Sequence, residues 1–191
     1  MKQRAACKRV QRNYQPRLRR RGTGDARICI RVARLIDTNI LVYRADPRDP
    51  VKQQIARDLL RAGLADDSLL LPHQAIVEFV AAVSRPRPDL AGQPLLPRAD
   101  ALLEAEMLTT QFPFLYPNAA LLSTALRGCA AYGLAWFDAH LWAYAECFGI
   151  SEIISEDFEH GRHYGRVRIF DPFVAASGQV KELPPMYETR P

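Results

Sequence analysis

No C-x-x-C pair occurs among the four cysteines of this 191-residue sequence, Cys7, Cys29, Cys129 and Cys147. Thiols scattered in this way supply neither a disulfide framework nor a zinc site, and reduced cysteines in a cytoplasmic protein are the expectation. Long apolar runs are also lacking: none approaches the length that spans a bilayer, and the N-terminus has no continuous apolar stretch of the secretory type. No membrane is therefore expected among the partners. Neither Gly-rich phosphate loop, G-x-G-x-x-G or G-x-x-x-x-G-K-[ST], is present, so a bound nucleotide cofactor is not indicated. Histidine is scarce. His73, His140, His160 and His163 show no metal-ligand spacing, and His160 and His163 read as loop residues rather than as a general base. With 48% apolar and 25% charged residues, what remains is an ordinary soluble chain of one domain with ragged ends.

Acid is almost missing from one segment. Residues 1–34 hold twelve Lys or Arg against the single Asp25, a net charge of +11, while the remaining fourteen basic and twenty acidic residues give −6. The division predicts a basic N-terminal arm over 1–33, a folded domain over 34–174 and a loose polar tail over 175–191. The arm reads either as a passive leader or as a polyanion-binding segment. It is too poor in Ser, and too irregular in its apolar spacing, for an organelle transit peptide.

Between these ends, short apolar strands alternate with helical patterns. Strands are expected at 33–37, at Ser68–Leu71, at PFLYP, at EIIS and at VRIF. Helices are expected over ILVYRA, from Val51 through VKQQIARDLLRAGLA, over HQAIVEFVAAVSR with Pro72 in the first position, over Arg98–Gln111, over Asn118–Tyr132 and over WFDAHLWAYAECFG. The proline-rich RPRPDLAGQPLLP is a loop. This alternation predicts an α/β sandwich around a mostly parallel sheet. Ligand sites of such sheets form beyond the carboxyl ends of the strands.

Four acids stand in apolar company. Asp37 ends the strand in RLIDTNILVY, Glu78 lies inside IVEFV, Asp138 follows Trp136-Phe137, and Asp157 comes two residues after EIIS. Each has an ordinary structural use: Asp37 and Asp138 as helix caps, Asp157 in a turn, Glu78 as a partly exposed helix residue. Taken together, they sit where one cleft would gather them. Close carboxylates repel and are stabilised by a divalent cation, and oxygen-only ligation suits Mg²⁺ or Mn²⁺ rather than zinc. The chemistry implied is phosphodiester hydrolysis by metal-activated water. Glu146, eight residues after Asp138, falls off that helix face and reads as a surface or supporting acid. Arg162, Arg166 and Arg168 are candidates for local basic side chains near the cleft, with a solvated surface as their other reading.

LIDTNILVY, the lone Glu in an apolar helix, FDAHLWAYAE and IISEDFEHGRHYGRVRIFDPF together resemble a PIN-domain ribonuclease, most of all the VapC-like toxins of bacterial toxin–antitoxin pairs. The resemblance runs from about Arg34 to Phe173. It implies a PIN-like three-layer α/β/α sandwich and a Mg²⁺-dependent endoribonuclease whose catalytic acids are Asp37, Glu78, Asp138 and Asp157. Asp37 and Asp138 would be the principal metal ligands, with Thr38 and Asn39 fixing Asp37. It also implies an RNA substrate, a cognate antitoxin protein and a homodimer formed through the early helices. Asp171 stands where the pattern usually has Asn. Two other readings fit the residues less well. A haloacid dehalogenase-type phosphatase needs a second Asp two residues after the first, and Asn39 occupies that place. A non-catalytic or RNA-processing module that acts by binding would have lost motif acids, and all four are present.

Overall fold

The computed structural model describes residues 33–177. The basic arm, apart from its last residue, and the end of the polar tail lie outside them. The described chain begins with β1 (Arg34–Ile36), α1 (Thr38–Ala45), α2 (Pro50–Asp66), β2 (Leu69–Pro72) and α3 (His73–Ser84). A 3-10 turn (Pro88–Leu90) then leads into α4 (Arg98–Gln111), β3 (Phe114–Leu115), α5 (Leu121–Tyr132) and α6 (Trp136–Phe148). The chain continues through β4 (Glu152–Ile154), β5 (His163–Tyr164), β6 (Val167–Phe170) and α7 (Pro172–Ser177). The six strands form one sheet in the order β3-β2-β1-β4-β6-β5, parallel throughout except for the β5–β6 hairpin.

The strands are near-continuous apolar runs because both faces of the sheet are covered. Successive side chains point to opposite faces, and the core divides accordingly. Leu35, Leu70, Ile153 and Ile169 pack with Leu121, Ala125, Leu141 and Trp142 of α5 and α6. Ile36, Leu69, Leu71 and Ile154 pack with Ile40, Leu60, Phe79 and Leu108 of α1 to α4. Three layers result, as the sequence led one to expect. Among the described residues no helix is long and apolar enough to cross a membrane.

Where sequence and structure differ, the causes are local. Pro72 closes β2 rather than opening α3: its φ of −76° suits either state, and its ψ of 148° keeps it extended. α1 starts at Thr38, two residues early, because Asp37 itself caps it by accepting from the Thr38 N–H. The β5–β6 hairpin went unread because β5 is two residues long and turns through Gly165 at φ 63°. α7 carries regular structure past residue 174 to Ser177. It begins at Pro172, with the Phe173 and Val174 N–H groups donating to Asp171 Oδ1. Asp171 thus acts as a cap, the role that Asn would also fill there.

α5 and α6 pack closely because Gly128 has no side chain. A Cβ at that position would meet the Trp142 ring at 2.7 Å, and Trp142 is held by its indole N–H donating to the Tyr164 carbonyl. Gly128→Ala should therefore cost about 1–3 kcal/mol by overpacking, despite the better helix propensity of Ala, and should lower the urea midpoint without changing the slope.

Candidate active site

Three parallel strands deliver the chain to one end of the sheet. β1 hands over to Asp37, β4 to Ser155 and Asp157, and β2 to α3, which carries Glu78. The N-terminal turn of α6 brings Asp138. All four acids line an open cleft of about 610 Å³, together with Thr38, Asn39, Tyr43, Gln74 and Phe137.

Asp37 is buried and held from several sides. Its backbone N–H donates to the Ile154 carbonyl at 3.0 Å. Oδ1 accepts from the Thr38 N–H at 2.6 Å, and Oδ2 accepts from Ser155 Oγ at 2.5 Å and Asn39 Nδ2 at 3.3 Å. The same Asn39 amide reaches Asp157 Oδ2 at 3.2 Å and Ser155 Oγ at 3.3 Å, so one side chain ties the β1 acid to the β4 acid. Thr38 Oγ1 donates to Glu78 Oε2 at 2.9 Å, and Gln74 Nε2 donates to Glu78 Oε1 at 2.9 Å and to the Phe137 carbonyl at 3.0 Å. The hydroxyl and amide of the D-T-N sequence therefore do different work. Asn39 holds Asp37, whereas Thr38 fixes Asp37 through its backbone N–H and gives its hydroxyl to Glu78.

Asp138 makes no hydrogen bond or ion pair through its carboxylate among the described residues. It does not cap α6, whose cap position is Ala135. Its carboxyl titrates above the ordinary range because it is partly buried and because Asp157 and Glu78 repel its charge. Asp37 is pushed up to about 7, first by burial and then by the charges of Asp157 and Glu78, against the lowering hydrogen bonds from Ser155 and Thr38.

The donor set fits a hard dication. Four carboxylates face the cleft, two of them (Asp37 and Asp138) with raised proton affinity, and the buried Asn39 Oδ1 has no hydrogen-bond partner beside them. Among the described residues no three Asp, Glu, His or Cys side chains form a ready-made metal cage. One or two carboxylates with retained waters is the usual environment of Mg²⁺.

Several residues of the cleft escaped sequence reasoning. Ser155 was read as the end of a strand; its position at a strand terminus beside a motif acid was the available signal. Gln74 lies four residues before Glu78, on the same helix face. Glu156 also lines the cleft, but it is neutralised by a close ion pair with Lys52, which in turn donates to Tyr43 Oη at 3.0 Å. The arginines of the cleft are Arg48, Arg85 and Arg87. Arg162, Arg166 and Arg168 lie elsewhere. Arg168 stands in register with Glu152, the first residue of β4, at the strand ends opposite the acids, and Arg162 pairs with Glu159. Arg166 lies against Glu146 at a separate small cavity, which removes both from the cleft. His160 accepts from the Asp171 N–H and is structural.

No curated protein matches the sequence. Among solved structures, the chain is similar to a DNA-bound VapBC from Salmonella typhimurium (12% identity, TM-score 0.55, covering 74% of this chain and 98% of that one). It is similar to a toxin–antitoxin complex from Klebsiella pneumoniae (15% identity, TM-score 0.52, 73% and 98%). A third is VapC20 of Mycobacterium tuberculosis, a toxin described as cleaving the sarcin–ricin loop (16% identity, TM-score 0.50, 80% and 100%). At these identities the likeness is one of fold. The PIN domain family matches residues 34–166 directly in sequence, a span that contains all four clustered acids. On that match, over most of its length, the chain belongs to the PIN domain family.

Proposed function

We propose that this protein is a divalent-metal-dependent endoribonuclease and the toxin of a toxin–antitoxin pair. The observation that carries the reading is the convergence of Asp37, Glu78, Asp138 and Asp157 in one cleft. Asp37 and Asp138 would hold Mg²⁺ or Mn²⁺, and Glu78 and Asp157 would complete the pocket directly or through water. Held there, such an ion would provide a water of lowered pKa and offset charge on the phosphate. The chain's own side chains set the geometry: Ser155 and Asn39 fix the Asp37 carboxylate, Gln74 and Thr38 fix Glu78, and Asn39 spaces Asp157 from Asp37.

Cleavage of single-stranded or structured RNA is expected with Mg²⁺ or Mn²⁺, leaving 5′-phosphate and 3′-hydroxyl ends, and is lost in excess EDTA. End-group analysis of the fragments checks it; full activity in EDTA would remove the metal from the reaction.

The VapBC and toxin–antitoxin neighbours support an antitoxin partner, whose basic side chain would enter the acid pocket. A short reading frame beside this gene is expected; an isolated gene would favour RNA processing instead. Exposed Val77 on α3 and Leu102 and Leu103 on α4 support a homodimer through these helices. The division into a basic arm, a PIN domain and a tail, and a cytoplasmic location, belong to the same proposal.

A further inference from the structure

α3 runs along the cleft. Gln74, Glu78, Ala81, Ala82 and Arg85 all line it, at spacings that keep them on one helix face. Gln74 marks one end, bonded to the carbonyl of Phe137 beside Asp138. Arg85, just past the last helical residue, marks the other, eleven residues on and about 16 Å along the axis. Ala81 and Ala82 lie between them, so the floor there is smooth.

The arginines at this far end are not equivalent. Arg48 is committed to Asp46 and Asp89 through close ion pairs. Arg85 and Arg87 enter no ion pair among the described residues, and the buried Nε of Arg87 has no hydrogen-bond partner. Arg87 is carried on a braced turn: its carbonyl accepts from the Leu90 and Gly92 N–H groups, and its own N–H donates to the Gln93 carbonyl. Two guanidinium groups outside any contact ion pair, Arg87 acting on Asp46 only at longer range, thus face the same cleft as the four acids, and Arg87 has an unfilled donor. A guanidinium offers a fork of donors that fits phosphate oxygens in pairs.

Resting on the nuclease reading, we propose that Arg85 and Arg87 form a phosphate-binding site that grips single-stranded RNA more than one nucleotide away from the scissile bond. The strand lies along α3, its reacting phosphate at the acids and a more distant phosphate at the arginines. The two arginines are positioning residues. They supply affinity where the acid end repels the backbone, and they favour substrates long enough to reach both ends.

The test uses the full chain. Binding of a labelled mixed-sequence single-stranded RNA that spans the cleft is measured across salt concentrations in an Asp138→Asn background. Adding Arg85→Ala and Arg87→Ala together should weaken binding about tenfold and reduce the slope of log affinity against log salt by roughly 0.7 per arginine. Arg85→Lys should keep most of the slope, since the charge remains. With Asp138 restored, the double alanine change should raise KM for the long RNA about tenfold with kcat moved less than twofold, and should spare a dinucleotide substrate. Arg166→Ala, away from the cleft, serves as the control and should leave binding and slope unchanged. Unaltered affinity and slope in the double variant would overturn the proposal. So would equal loss on long and short substrates, which would assign the arginines to the fold. If the parent chain cleaves no RNA at all, the nuclease reading fails separately, and the salt slope still reports on the arginines.

Discussion

Asp138→Asn is expected to lower RNA cleavage by at least about 100-fold while leaving the fold intact, since several kcal/mol of transition-state stabilisation depend on a metal ligand and each 1.4 kcal/mol is a factor of ten. The separation of activity from stability follows from the surroundings of this side chain. Its carboxylate makes no hydrogen bond or ion pair among the described residues, and it does not cap its helix. Asn keeps the shape and removes only the charge. Asp37→Asn should lose activity to a similar degree and also keep its helix, because Asn is as good a cap as Asp. Single-turnover cleavage beside circular dichroism melts checks both, and wild-type rates in either variant would exclude that residue as a ligand.

Between about pH 4 and 7 the metal-free protein should lose stability as pH rises. The reason is Asp37, whose carboxyl is moved from 3.8 up to about 7 on folding. Across that window the folded chain retains a proton that the unfolded chain has released, so the stability slope is negative, and the penalty is complete above pH 7. Three pH units correspond to at most about 4 kcal/mol. Asp138, shifted in the same direction, adds to it. Asp37→Asn should flatten the profile and raise stability at pH 8 by about 1–3 kcal/mol. Part of the gain is lost because an amide N–H would oppose the donors of Asn39 and Ser155. Mg²⁺ should stabilise the parent chain at pH 8 more than the variant. Urea titrations at pH 5 and pH 8, with and without Mg²⁺, check this; equal stability of the parent at both pH values without metal would contradict it.

The four acids were legible because each broke a local rule: a charge inside an apolar strand end or helix needs an explanation, and one cleft explains all four. The layers were legible because doubly covered strands leave continuous apolar runs between helical periods. Elements that depend on distant partners were not. β5 exists only by pairing with β6, and Pro72 chose between strand and helix according to its neighbour β3. Arg85 reads as the last residue of a helix and Arg87 as part of a proline-rich loop, and neither reading points to a cleft. Their place in the cleft is set by the direction of α3, which no short pattern encodes. Arg166 and Arg168 were misread for the converse reason: closeness in sequence to Asp157 gave no warning that the hairpin turns them away from it.

The bonds that shape the pocket join residues at opposite ends of the domain. Asp37 is separated from Ser155, and Asn39 from Asp157, by 118 positions. During synthesis, the first acid emerges long before the residues that orient it. Because domains fold as units and distant pairings come late, an incomplete chain carries the D-T-N sequence but no assembled pocket. For a reading in which this protein can destroy the RNA of its own cell, the consequence is one of timing. On that reading, the ribosome would complete nearly the whole domain before an assembled pocket exists, and a partner already present would have that interval in which to be waiting.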